Sequence, residues 1–321
     1  MNAPAAAAIP TPSPHALPVE PAGPRCSGVV VPLATPLSAI DTLDVAALER
    51  LVEHVIDGGV DAIFLLGTTG EGPSLSHATQ RDLVRHVARQ ARQRVPVLVG
   101  ITDPSFAESL AIAEWAAGEG AAAVVVAPPY YFPAAQDALV EWTRGLAERV
   151  PLPLVLYNIP ELTKTSFAAD SLRALADCPN IVGLKDSSDD MAYFAEAVAI
   201  ARERRPDWSV LVGPELRAPE THALGGHGVV PGGANVYPRL FADLNAALLR
   251  GDSADAASLH DRVRMLGALY SVGTLPGRVV VGIKTALAEM GICQALTATP
   301  LERLDGDQRR QVREILARLG L

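Results

Sequence analysis

The sequence predicts an α/β fold, a (β/α)8 TIM barrel with a C-terminal helical extension. Three observations predict it. After residue 27 short β-branched runs alternate with helical stretches, eight such pairs fit within about 225 residues, and polar residues gather where the runs end. A doubly wound open sheet competes, but its first turn normally reads GxGxxG, and here that turn reads Leu33-Ala34-Thr35-Pro36.

In order, strands are expected at 28–36, 62–67, 95–101, 121–128, 152–159, 181–187, 209–213 and 228–232. Helices are expected between and after them at 44–58, 76–94, 105–119, 136–149, 166–176, 190–204, 216–225 and 237–250. Ser76 and Ser105 stand at N-cap positions, and Gly58-Gly59 and Gly118 where C-terminal glycines belong. Residues 1–25 are rich in Pro and Ala, lack a basic start and an unbroken apolar run, and read as a disordered extension, not a secretory signal. Residues 26–251 would form the barrel. Residues 252–321 carry amphipathic patterns at 254–270, 278–290 and 306–319, a helical region that packs on the barrel or on another subunit.

With 27 Lys+Arg against 36 Asp+Glu the chain carries −9, so no overall basic field draws it to nucleic acid or an anionic membrane. No apolar run is long enough to span a bilayer. Cys26, Cys178 and Cys293 are odd in number and far apart, which points to free thiols in a reducing, cytoplasmic compartment. The seven histidines offer no ligand pair at metal-binding spacing, so no metal is expected.

Lysine is scarce. Lys164, Lys185 and Lys284 are the only three, and each calls for a local explanation. Lys164 falls in a polar loop and reads as solvated; Lys284 reads as a structural helix residue. Alternation in the sixth strand puts Ile181, Gly183 and Lys185 on one face. If that face is the barrel interior, a desolvated amine there favours its neutral, nucleophilic form, the requirement for a Schiff base, with Gly183 leaving space beneath it. The other reading pairs Lys185 with Asp186 at the rim. Tyr157, on the neighbouring strand, shares its face with Pro153 and Val155 and could shuttle protons in the same interior. Gly67-Thr68-Thr69-Gly70 suits a carboxylate or phosphate, or is an ordinary turn; without Gly-Lys-Ser/Thr it is no P-loop.

Taken together, Gly67-Thr-Thr-Gly-Glu71, Pro129-Tyr-Tyr131, Tyr157-Asn-Ile-Pro160 and Gly183-Leu-Lys-Asp-Ser187, in that order at those strand ends, resemble the dihydrodipicolinate synthase/N-acetylneuraminate lyase family. The resemblance runs from residue 28 to about 295. It implies a class I, Schiff-base lyase or synthase acting on pyruvate or another 2-oxo acid without metal or organic cofactor. Lys185 would form the imine and Tyr157 would move protons. Thr68 and Thr69, with the Gly67 and Gly70 turn, would hold the 2-oxo acid carboxylate, and Thr68 would link Tyr157 to Tyr131. In many relatives the tyrosine matching Tyr131 enters a neighbour's site, which implies a homo-oligomer, a dimer or a dimer of dimers (homotetramer).

Departures bear on the second substrate, an aldehyde. Dihydrodipicolinate synthases carry an arginine where this chain has Leu162, and sialic acid lyases carry a Ser-Thr pair where it has Thr68-Thr69, and a second carboxylate that Gly213-Pro214-Glu215-Leu216 lacks. The resemblance therefore leans by elimination to aldolases or dehydratases of hydroxy-2-oxo acids and 2-oxo-3-deoxy sugar acids. Glu215, Gly232, Gly233, Asn235 and residues 160–163 would line the acceptor side, with Gly232-Gly233 leaving open space. Dihydrodipicolinate synthesis from pyruvate and aspartate semialdehyde is the alternative within the fold. A barrel that only binds a 2-oxo acid is the alternative outside catalysis.

Overall fold

The computed structural model describes residues 26–321 except 93 and 274–276, so the expected N-terminal extension lies outside the described residues. Eight strands, Gly28–Pro32 (β1), Ala62–Leu65 (β2), Val97–Gly100 (β3), Ala123–Val126 (β4), Leu154–Asn158 (β5), Ile181–Asp186 (β6), Ser209–Val212 (β7) and Gly228–Val229 (β8), close into a parallel barrel. β8 returns to β1 through Gly28↔Gly228 and Val29↔Val229. The ladders end sooner than the apolar runs because the chain stays buried after leaving the sheet. Leu33 and Ala34, for example, are buried, and their N–H groups go to Phe64 C=O and the Asn235 side chain.

The outer ring consists of Val45–Asp57 (α1), His77–Ala91 (α2), Phe106–Gly118 (α3), Gln136–Ala147 (α4), Ala169–Leu175 (α5), Met191–Arg204 (α6), Ala218–Leu224 (α7) and Pro238–Arg250 (α8). Ser76 and Ser105 cap α2 and α3 through the Thr79 and Glu108 N–H groups. Gly118 is instead the last residue of α3; the left-handed turn that stops the chain is at Gly120, φ 86°. A small antiparallel pair, Leu37–Ala39 with Thr42–Leu43, interrupts the first βα connection.

Strand alternation divides the apolar residues into two shells. Val30, Phe64, Leu98, Val125, Val155 and Leu211 fill the barrel interior, while the larger shell lies between sheet and helices. One strand breaks the two-residue period. Leu154 pairs with Ile181 but Val155 with Gly183, so Val182 is an extra, bulged residue. Ile181 therefore packs outward and Val182 inward, which corrects the expected face of Ile181, while everything beyond the bulge keeps its register. Gly183 also has a different reason from the one expected. A Cβ there would stand 2.3 Å from Ser209 C=O, so the glycine admits the neighbouring strand and leaves no space for a ligand.

Three helices follow the barrel, Ser253–Gly267 (α9), Arg278–Glu289 (α10) and Gly306–Leu319 (α11), and they lie against its C-terminal end. His260 reaches Leu216 C=O at 2.9 Å and Arg262 reaches the Tyr237 hydroxyl at 2.9 Å. The deepest tie is ionic. Lys284 Nζ of α10 lies 2.6 Å from Glu71 Oε1, both side chains 1% exposed, and Ala298 N–H donates to the other oxygen at 2.5 Å. Burial lowers the Lys284 pKa while the Glu71 charge pulls it back up.

A buried pair is neutral to modest in net worth when whole, yet stranding one partner leaves an uncompensated charge. Lys284→Met is expected to destabilise the fold by about 3–5 kcal/mol, measured by urea unfolding at neutral pH. Adding Glu71→Gln should recover part of that loss. Wild-type stability in Lys284→Met would remove the pair from any structural role.

Candidate active site

Above the bulge, β5 and β6 pair Tyr157 with Lys185 and Asn158 with Asp186. Alternation sends the first pair inward and the second outward. Asp186 is held by the Asn158 amide at 2.8 Å and the Ser188 hydroxyl at 2.9 Å, and burial raises its pKa against those hydrogen bonds. The rim pairing of Lys185 with Asp186 is thus not formed. Lys185, 6% exposed, faces the interior, its Nζ 3.9 Å from the Tyr157 ring centre and 5.3 Å from that of Phe64. Phe64 and Tyr157 meet edge to face, 6.2 Å between centres. Among the described residues no carboxylate pairs with this amine. Lys164 is exposed, on the loop after β5.

Burial by itself would raise the Tyr157 pKa, but the Lys185 charge and hydrogen bonding with Thr68, Lys185 and Ser187 outweigh it and lower the phenol below its usual range. Thr68 Oγ1 lies 3.3 Å from the phenol oxygen. The turn carrying Thr68 begins at Leu66, a bulky residue held left-handed at φ 59°, with its carbonyl wedged where a Cβ at Gly72 or Gly100 would clash at 2.2 or 2.7 Å. Hydrogen bonds from Glu71 N–H to Thr68 C=O and from Gly72 N–H to Gly67 C=O fold the segment back. They leave the Thr68 and Thr69 N–H groups without an acceptor among the described residues. Gly67 and Gly70 do not line the cavity; they are buried against Phe64 and Leu33.

A cavity of about 340 Å3 opens over Lys185, Tyr157, Thr68, Thr69 and Ser187. Its farther walls are Glu161 and Leu162, Glu215, Gly232 and Tyr270, and the first turn of α10. The acceptor side differs from expectation in three places. Gly233 is packed shut, since a Cβ there would meet Leu266, Phe241 and Glu215 within 3.0 Å, and Gly232 faces Ile283 at 3.0 Å, so the glycine pair offers no open space. Asn235 is a fully buried brace whose amide spans Pro32, Ala34 and Gly232. Tyr131 lies outside the chain's own cavity, 73% exposed and edge-on to Phe132, with no hydrogen bond to Thr68.

Sequence reasoning missed Ser187, Tyr270 and Arg278. Ser187 was within reach, two residues beyond Lys185 on the same face. Tyr270 carries no such signal, because its place depends on how a helical segment docks. Its hydroxyl donates to both oxygens of Glu215 at 2.9 Å, and Gly233 N–H donates to Oε2 at 2.9 Å. Burial nevertheless dominates and pushes Glu215 up to about 7. The arrangement therefore offers a buried amine able to add to a carbonyl, a phenol able to exchange protons beside it, and N–H donors suited to an anion.

The dihydrodipicolinate synthetase family model matches residues 25–319. The 4-hydroxy-tetrahydrodipicolinate synthase of Thiobacillus denitrificans is 36% identical over 286 residues, 89% of this chain and 94% of that protein. Among solved structures, dihydrodipicolinate synthase from Bacteroides thetaiotaomicron superposes with TM-score 0.87 at 42% identity, covering 91% of this chain and 98% of that one. YagE from E. coli K12, a prophage protein of the dihydrodipicolinic acid synthase family solved with pyruvate, gives TM-score 0.87 at 29% identity, covering 92% and 99%.

The Glu215 proton carries a pH signature. Its folded pKa, about 7, lies above the usual 4.5, so between those values the folded protein keeps a proton that the unfolded chain releases, and rising pH lowers stability. Relative to Glu215→Gln, the wild type is expected to lose about 2 kcal/mol of unfolding free energy between pH 5 and pH 7.5. Urea midpoints at the two pH values test this. An unchanged gap would mean the carboxylate is ionised throughout.

Proposed function

The chain belongs to the dihydrodipicolinate synthetase family, a family of lysine Schiff-base lyases and synthases, and from that premise we propose that it joins or splits a carbon–carbon bond between pyruvate and an aldehyde through an imine on Lys185. The observation that carries the proposal is the Lys185 amine, enclosed in the apolar interior beside a phenol whose pKa it lowers.

In the forward direction Nζ adds to C2 of the 2-oxo acid and the oxygen leaves as water, giving a protonated imine. That imine draws electrons, so a C3 proton departs at neutral pH and leaves an enamine. The enamine carbon adds to the aldehyde, and the new alkoxide takes a proton from the Tyr157 phenol, relayed through Thr68 or Ser187. Water then hydrolyses the imine and returns the free amine. Cleavage runs the same steps backwards. The unpaired N–H groups of Thr68 and Thr69 would hold the carboxylate that both directions share.

Two acceptor readings stand on different observations. The relatives' names favour aspartate semialdehyde. Leu162, an apolar side chain 47% exposed at the cavity rim, favours a hydroxylated aldehyde derived from a sugar acid, because no guanidinium stands at that position. The proposal extends to setting and assembly. The free thiols Cys26, Cys178 and Cys293 support a reducing cytoplasm, and among the described residues no helix is long and apolar enough to cross a membrane. The exposed Tyr131–Phe132 pair supports a homo-oligomer in which Tyr131 completes a neighbour's site.

Incubation with pyruvate and borohydride, followed by peptide mass analysis, is expected to place a reduced pyruvyl adduct on Lys185, and Lys185→Ala should carry none. Folded wild type without an adduct would exclude pyruvate as the imine partner and leave another 2-oxo acid, tested the same way, and then the binding reading. Tyr157→Phe is expected to lower kcat by about 10²–10⁴ while the adduct can still be trapped. If Tyr131 serves a neighbour, Tyr131→Ala should lower kcat by about tenfold or more in a species that light scattering shows to be oligomeric. A fully active monomer would exclude that role.

A further inference from the structure

We propose that Arg278, the first residue of α10, is the anion-recognising group of the acceptor side, and that the cavity therefore takes acceptors bearing a carboxylate at the end remote from the aldehyde. The inference rests on the Schiff-base reading above and names the substrate class within it.

Three observations carry it. Arg278 lines the cavity that opens over Lys185, and among the lining residues these two are the only cations. Its guanidinium makes no ion pair or hydrogen bond with another described residue. Some surface arginines are paired, Arg217 with Asp189 and Glu220 and Arg309 with Glu289, and others such as Arg81, Arg303 and Arg318 are not; what sets Arg278 apart is its place in the cavity wall. Arg278 thus brings to the cavity wall a positive charge that no described carboxylate takes up, in a chain of net charge −9. Lastly, Leu162, another residue of the cavity wall, is apolar and adds no positive charge, so an acceptor carboxylate has no competing cation at that position.

The cavity's carboxyl groups do not neutralise this arginine. Glu215 is occupied by Tyr270 and Gly233, and Glu161 forms no ion pair with Arg278. Gly277 and Val279, on either side of Arg278, also line the cavity, so the backbone itself holds the arginine at its edge. An arginine fork suits a planar carboxylate through two parallel N–H bonds, and a hydroxyl-only acceptor would leave that fork unused. Leu162 would then supply apolar contact and Arg278 charge.

The test uses two 2-oxo acids that differ only at the far end, 2-oxoheptanedioate and 2-oxoheptanoate. Seven carbons match three from pyruvate plus four from a semialdehyde. Borohydride trapping on Lys185 is followed as a function of concentration for wild type, Arg278→Ala and Arg278→Lys. The diacid is expected to half-saturate wild type at a concentration about tenfold below the monoacid. That advantage should vanish in Arg278→Ala and return in part in Arg278→Lys, while pyruvate trapping is the same in all three. An equal response to the two acids in wild type, trapping of neither, or an advantage that persists in Arg278→Ala would each overturn the role of Arg278 with the imine chemistry intact. Absence of the pyruvate adduct itself would instead strike the Schiff-base reading.

Discussion

Closing eight parallel strands on themselves leaves an interior too narrow for anything except interlocking side chains, and the chemistry of this protein follows from that constraint. Phe64, Leu98, Val125, Val155 and Leu211 fill the space below the cavity, so water does not reach Lys185 from beneath. The same alternation that turns these residues inward turns Lys185 and Tyr157 inward and Asp186 outward. A carboxylate one residue away in sequence is thereby kept out of the amine's surroundings, and the partner that remains is a phenol. Geometry of the backbone, more than any single contact, selects which groups can react.

The barrel was legible because its period is simple and its runs are apolar enough to stand out. All eight strands and eight ring helices fall where the sequence places them, with ends trimmed where buried turns continue the apolar pattern. Lys185 was legible for a further reason: scarcity of lysine gave each one meaning. The errors share a cause as well. Gly183 and Gly233 were read as empty space, yet each is a glycine because something already occupies the place of its Cβ, the Ser209 backbone in one case and Leu266, Phe241 and Glu215 in the other. A missing side chain in a sequence does not say whether the gap is open or filled. The bulge at Val182 was equally invisible, and it did no harm to the assignment of Lys185 only because it lies below it.

What the sequence could not reveal is docking. Tyr270 and Arg278 belong to a segment whose helical pattern is plain and whose place is not, since amphipathic periodicity states which face is buried and not against what. The helix docks through its apolar face, Val281, Ile283, Ala286 and Leu287, and through the Glu71–Lys284 pair, which ties the end of the threonine turn to the middle of α10. One helix thus has its side chain against the end of the threonine turn and its first residues in the cavity wall. The cavity is therefore shaped by α10 as well as by the barrel.

The distribution of lysines has a practical side. Two of the three side-chain amines are enclosed, Lys185 under the cavity and Lys284 against Glu71, and only Lys164 stands in solvent, on the loop that also carries Glu161 and Leu162. To any reagent or protease that seeks lysine side chains, the native fold presents a single address, and that address borders the mouth of the cavity. A probe that reads lysine side chains in the native fold would therefore report on this loop beside the cavity and on no other part of the surface.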